Sequence, residues 1–307
     1  MSLHNQEEVL FHLLFDRRLR ERFRRDPQAA LAAYGLSAAE AADFAAVRHD
    51  ALALEADLRA DLILSQLCRT YPLSFSLMTS LVGGLDLLKS LIDTDTMQEH
   101  PLQRAPSFGA RLRAWVDEDC PEAEDTRNGV IGILNAETGM AWTSAALRLQ
   151  WLHGEAAPDA PPSGLPEEWE FRPLRAAASV GWARLPRPYG ELKERLCPGG
   201  GAALWRSLAR CPTSAETRDQ ALAAVNPRLL AHRAVLTRPS RCEPVAEHAF
   251  LELAEGFAPL LEHLDGEQTV TGLLNSLAAA GAPAGLLPGI RNGFRQLLEQ
   301  RMLVLVP

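Results

Sequence analysis

The chain has 307 residues, 47% of them apolar and 23% charged, with a formal net charge of −8. That composition is ordinary for a soluble protein able to bury a real core, and the length predicts two domains. The start, M-S-L-H-N-Q-E-E-V-L, lacks the basic flank and apolar core of a signal peptide, and no apolar run approaches the roughly 18 residues of a membrane span, so a cytoplasmic protein is expected.

From Gln6 to about Arg25, Val9, Leu10, Leu13, Leu14 and Phe23 recur at helical spacing. Beside them Arg17, Arg18, Arg20, Arg22, Arg24 and Arg25 go round the helix rather than along one stripe, which reads as a solvated face, with a basic patch for a partner as the alternative. Asp26-Pro27 ends this helix and opens the next, because proline suits the first helical turn. Tyr34-Gly35 is a stop, and Ser37-x-x-Glu40 is a capping-box signature for a further helix. The run D-R-R-L-R-E-R-F-R-R-D-P-Q-A-A-L-A-A-Y-G-L-S-A-A-E-A-A-D-F, continued by R-T-Y-P-L-S-F, resembles the small helical domain found with multinuclear non-haem iron-dependent oxidative enzymes that modify ribosomal peptides. A similar D-P-x-x-x-L-x-x-x-G-L-S segment occurs in a subunit of ring-opening dioxygenases.

Leu58–Leu67 and Leu73–Ile92 are expected as apolar helices broken at Pro72, with Gly83-Gly84 marking a kink or a close helix crossing. Arg104–Val116 is amphipathic, with Phe108, Leu112, Trp115 and Val116 inward, and Asp117–Asp125 is an acidic turn. Asn128–Leu152 returns to helical spacing, with Ile131, Leu134, Trp142, Leu147 and Trp151 as core candidates and Gly129, Gly132 and Gly139 as interruptions. Five prolines between Glu155 and Pro173 indicate a linker. The expected organisation is therefore a helical domain over 1–154, a linker over 155–173 and an α+β region over 174–307.

In the second region Leu174–Leu185 reads as short strands, while Tyr189–Cys197, Ala202–Arg210 and Ala215–Ala224 read as short helices. Pro198-Gly-Gly-Gly201 lacks the lysine and hydroxyl of a P-loop and is expected to be a connector. Arg233–Thr237 and Glu243–Val245 are the expected first strands of a terminal module over about 228–307. Ala249–Leu253 follows as a strand, then three helices from Gly256, from Gln268 or Thr269, and from about Leu286, and a last strand over Met302–Val306. Asp265-Gly266 is read as the end of the first of these helices.

The combination F-L-E-L, L-D-G-E-x-T-V and R-Q-L-L-E-Q-R-M-L-V-L resembles the PqqD-like recognition elements of ribosomal-peptide modification systems, which are winged-helix domains. The resemblance implies that a leader peptide lies beside Ala249, Phe250, Leu251, Glu252 and Leu253 as an added strand. It implies a groove wall on the third helix, with Ile290, Arg291, Phe294 and Arg295 as candidate contacts. Three arginines against six acids from Ala249 onward leave too little positive charge for a DNA-binding winged helix.

Residue patterns that carry chemistry are missing. The sequence has no H-E-x-x-H and no G-x-S-x-G, and although His248 and His263 each follow a glutamate, adjacent residues on a helix diverge and make a poor ligand pair. The five cysteines, Cys68, Cys120, Cys197, Cys211 and Cys242, form no C-x-x-C pair and predict idle thiols. No catalytic or metal-ligating residue is assigned. Together the two resemblances imply a mainly α, non-catalytic partner of an iron-dependent peptide oxidase, with the iron in the other chain and a precursor peptide as second partner. A stand-alone oxygenase-like metalloenzyme and a winged-helix regulator are the other readings.

Overall fold

The computed structural model describes residues 2–155, 164–208, 210–237, 245–262 and 264–306. Cys242, His263, the first part of the expected strand Glu243–Val245 and residues 156–163 of the expected linker lie outside these. The described chain is mainly helical with two small antiparallel sheets. None of its helices is long and apolar enough to cross a membrane.

The expected first helix is two, α1 (Ser2–Phe15) and α2 (Arg17–Arg25). Asp16 between them is extended, and its carboxylate accepts from the Leu19 N–H at 3.0 Å, so it starts a new helix. Asp26 caps α3 (Pro27–Leu31) in the same way, and the chain then turns at Gly35 with φ of +62°. Ser37 and Glu40 form the expected capping box of α4 (Ala38–Ala45). Val9, Leu13, Leu19, Phe23 and Leu31 make a small core with Leu52 of α5 (His49–Thr70).

The helix expected over Leu73–Ile92 is shorter. α6 (Pro72–Val82) ends at Gly83, whose φ of +74° only glycine adopts freely, and nothing stands within 4 Å of a Cβ there. Gly83 is thus a helix stop, not a crossing point. α7 (Asp86–Ser90) and α8 (Thr94–Gln98) follow, then α9 (Arg104–Glu118), which buries Phe108, Leu112 and Val116 as expected and half-buries Trp115. α10 (Glu124–Leu152) runs unbroken for 29 residues through all three glycines. Trp142, expected in the core, is 48% exposed.

Beyond the proline-rich stretch come β1 (Pro173–Ala176), β2 (Val180–Leu185), α11 (Tyr189–Leu196), α12 (Gly201–Leu208), α13 (Ala215–Leu222), β3 (Arg228–Thr237) and β4 (Val245–Ala254). The chain closes with α14 (Ala258–Glu262), β5 (Asp265–Thr269), α15 (Val270–Ala279), α16 (Leu287–Glu299) and β6 (Leu303–Leu305). Asp265-Gly266 does not merely end a helix: it begins β5, which pairs with β1. β6 pairs with the other edge of β1, so the second sheet has the order β5-β1-β6. Thr269 caps α15 by accepting from the Gly272 N–H. The connector at Pro198–Gly201 brings the start of α12 against the end of α5, where a Cβ on Gly201 would meet the Cys68 carbonyl oxygen at 2.4 Å.

The sheet β2-β3-β4 lies between two cores. On one face Ala183, Leu185 and Leu230 join the large cluster of α5, α6, α9 and α10, which also takes Leu192, Leu204 and Ala221 from α11, α12 and α13. On the other face Leu229, Ala231 and Leu253 join Phe257, Val270, Phe294, Leu297 and Leu303. Side chains alternate across a strand, so β3, buried on both sides, holds the two halves together.

Candidate peptide-docking edge

Among the described residues β4 is hydrogen-bonded to β3 alone, in continuous register from Thr237↔Val245 to Arg228↔Ala254. Its other edge presents a ten-residue row of backbone donors and acceptors to whatever lies beside it. The sequence V-A-E-H-A-F-L-E-L-A sets what each face carries. Ala249, Leu251 and Leu253 turn to the core of α14, α15 and α16. His248, Phe250 and Glu252 turn to α10 and α11.

On the α10 side, the His248 Nε2 is 3.1 Å from the Met140 carbonyl oxygen and 3.2 Å from the Ser144 Oγ. A carbonyl only accepts, so Nε2 carries the proton and donates to Met140. The ring therefore has no lone pair at Nε2 to activate Ser144, and the pair is not a nucleophile and its base. His232, on the neighbouring strand, is edge-on to His248 with ring centroids 5.9 Å apart. Burial, and then the neighbouring His248, push the His232 pKa down to about 4, and burial lowers that of His248. His232 fits here because Gly139 and Gly181 leave room: a Cβ on either would come within 2.8 Å of its Nε2.

Phe250 packs against Tyr189 with centroids 5.2 Å apart, and Glu252 accepts from the Tyr189 N–H at 2.9 Å, tying the start of α11 to β4. Between β4, α10 and α11 opens a cleft of about 820 Å³. Among the described residues its charged lining includes Arg69, Arg148 and Lys193. Lys193 sits 5.7 Å above the Tyr189 ring.

The candidate residues on the third helix are placed differently. Ile290 is half-buried against the second core, and Phe294 is fully buried against Phe257, so it supports the helix rather than offering surface. Arg291 is ion-paired with Glu170, and Arg295 with Glu299 at 2.8 Å. The two strongest cations of that wall thus already face acids of the same chain.

Comparison of the chain with protein-family models, with curated proteins and with solved structures returned no match.

Other chemistry-bearing groups serve the fold. Glu137 of α10 is fully buried and accepts from the N–H groups of Leu73 and Ser74 at 2.8 and 2.9 Å. Burial raises its pKa to about 7 against the opposing pull of those donors. Burial also pushes the thiols of Cys68 and Cys197 up to about 12 and about 11, which leaves them protonated and unreactive at neutral pH. Among the described residues no group of three or more histidines, cysteines and carboxylates is arranged to hold a metal ion. Sequence reasoning found the strand; it missed Arg69, Tyr189 and Lys193, which reach the cleft from elements far along the chain and carry no local signature.

Proposed function

We propose that this chain is a cytoplasmic, non-catalytic partner protein that holds the leader of a ribosomally made precursor peptide along β4 and presents its core to an iron-dependent oxidase. The observation that carries this reading is the ten-residue outer edge of β4, unpaired among the described residues, beside a cleft and set on a sheet buried on both faces. A disordered peptide laid there gains main-chain hydrogen bonds for affinity and side-chain pockets for choice. Such binding raises the local concentration of the core peptide at the enzyme, making delivery nearly intramolecular. The terminal order of strand, helix, strand, two helices and strand suits a winged-helix recognition element, and the helical region over 1–154 is the expected docking body for the enzyme. The iron and the oxidative step belong to that partner.

Proline tests the edge. Successive residues of a strand direct their N–H groups to opposite sides, so of Phe250→Pro and Leu251→Pro one removes a donor from the outer edge and the other from the β3 ladder. With protein isolated from its host, the outer-edge variant should lose bound peptide while its helix content and melting hold. Full retention of peptide by both folded variants would contradict the assignment.

A further inference from the structure

We propose that the outer face of α5 is a self-association surface, on which a second copy of this chain docks with its own α5 antiparallel. α5 is apolar on two opposite sides. Leu52, Ala56, Leu64 and Leu67 are buried in the helical cores. The opposite side carries Leu54, Leu58 and Leu62, which are 61%, 55% and 61% exposed. Residues four apart stand one above the other on a helix, so the three make one continuous ridge about 12 Å long. A surface helix ordinarily turns charged residues outward, and a leucine ridge in their place marks contact with another molecule.

The ridge and its flanks match themselves. Leu58 is at the middle, so a copy related by a two-fold axis near Leu58 sets Leu54 against Leu62 of the copy, and Leu62 against Leu54. A two-fold that makes two helices antiparallel keeps each flank beside its own equivalent. One flank holds Glu55 and Arg59, which pair within the chain at 2.8 Å and are each about half exposed. In the dimer Arg59 reaches Glu55 of the copy, and Glu55 reaches Arg59 of the copy, within one turn of the axis. On the other flank Asp57 and Asp61 would repel their equivalents, but the Lys89 Nζ stands 2.7 Å from the first carboxylate and 2.9 Å from the second. A ridge on one helix buries an area at the small end of specific interfaces, so the dimer is weak and reversible. Neither the β4 edge nor the cleft beside it uses this ridge, so dimerisation does not depend on peptide binding.

The test is sedimentation velocity of the full-length chain at low salt, from about 5 to about 500 µM. Wild type should pass from monomer to dimer over that range. Leu58→Glu should stay monomeric with unchanged helix content and melting, since the side chain it replaces is exposed in the monomer. Glu55→Arg and Arg59→Glu should each weaken the dimer about fivefold or more by setting like charges across the axis. An equimolar mixture of those two variants should recover the dimer, because each like-charged flank then faces its opposite. Neither variant keeps the Glu55–Arg59 pair within its own chain, so recovery on mixing reports the contact between chains. A Leu58→Glu variant that dimerises like wild type, or a mixture no tighter than its components, would overturn the proposal. A wild type that stays monomeric would overturn the second copy as occupant, even if the ridge captured some other protein.

Discussion

A Cβ placed on Gly132 would stand 2.3 Å from the carbonyl oxygen of Arg184, so α10 and β2 touch backbone to backbone. A Cβ on Gly139 would stand 2.8 Å from the His232 Nε2, and one on Gly129 3.1 Å from a Leu222 methyl. Gly132 and Gly139 let the sheet settle onto the long helix, Gly129 makes room for α13, and these contacts fix where β4 and its outer edge stand relative to α10.

Gly132→Ala should therefore destabilise the protein by about 1–3 kcal/mol, since neither backbone can yield locally. Gly84→Ala, where nothing lies within 4 Å, is the control and should change stability by no more than about 0.5 kcal/mol. Urea unfolding of the two variants checks the difference, and equal losses would argue against the close contact.

Glu137 closes the start of α6. Pro72 has no N–H, so the first two donors of that helix are those of Leu73 and Ser74, and both go to this one carboxyl group. Glu137→Ala should cost about 2–4 kcal/mol by leaving both unmet. The folded-state pKa, raised from 4.5 to about 7, means the native state binds the proton more tightly. Its contribution is fully present below about pH 4.5 and is lost as pH rises through 7. Glu137→Gln should remove that slope from stability measured against pH.

His232 acts in the opposite sense. Its pKa falls from 6.5 to about 4 on folding, so its neutral form is favoured in the native state. Stability from this group is present above pH 6.5 and is lost as pH falls toward 4. His248 adds to the same trend. His232→Asn should flatten the acid limb between those values, and an unchanged acid limb would show that the ring is not buried neutral.

Thiol labelling gives a direct check of burial. Cys211 is exposed, whereas Cys68, Cys120 and Cys197 are buried. Iodoacetamide at pH 8 should modify Cys211 in the native protein and reach the three buried thiols only after denaturant is added, as mapped by peptide mass spectrometry. Native-state modification of Cys68 or Cys197 would contradict the packing of α12 on α5.

The elements legible in sequence were those written in local chemistry. Asp26-Pro27, the Ser37–Glu40 box, the stop at Gly35 and the cap at Thr269 each depend on residues within a turn of one another. Where a distant partner decides, local reading failed. Gly129, Gly132 and Gly139 look like interruptions because their cost is local, but what they make room for is the sheet and α13. Asp265-Gly266 looks like a helix end, yet β1, far earlier in the chain, draws it into a strand. Trp142 has helical spacing with the core but falls on the open side of α10. Along β4 the alternation of small, polar and apolar residues announced a strand, while the cleft beside it is assembled from α5, α10 and α11 and has no signature in any one of them.

The proposed role joins a precursor peptide to an iron-dependent enzyme. The most direct measurement is to tag it in its native host, isolate it gently, and identify by mass spectrometry what comes with it, with iron quantified in the complex. Recovery of an iron-containing oxidative enzyme together with a short ribosomal peptide is the predicted result. Isolation of the chain alone, carrying stoichiometric metal of its own, would contradict it.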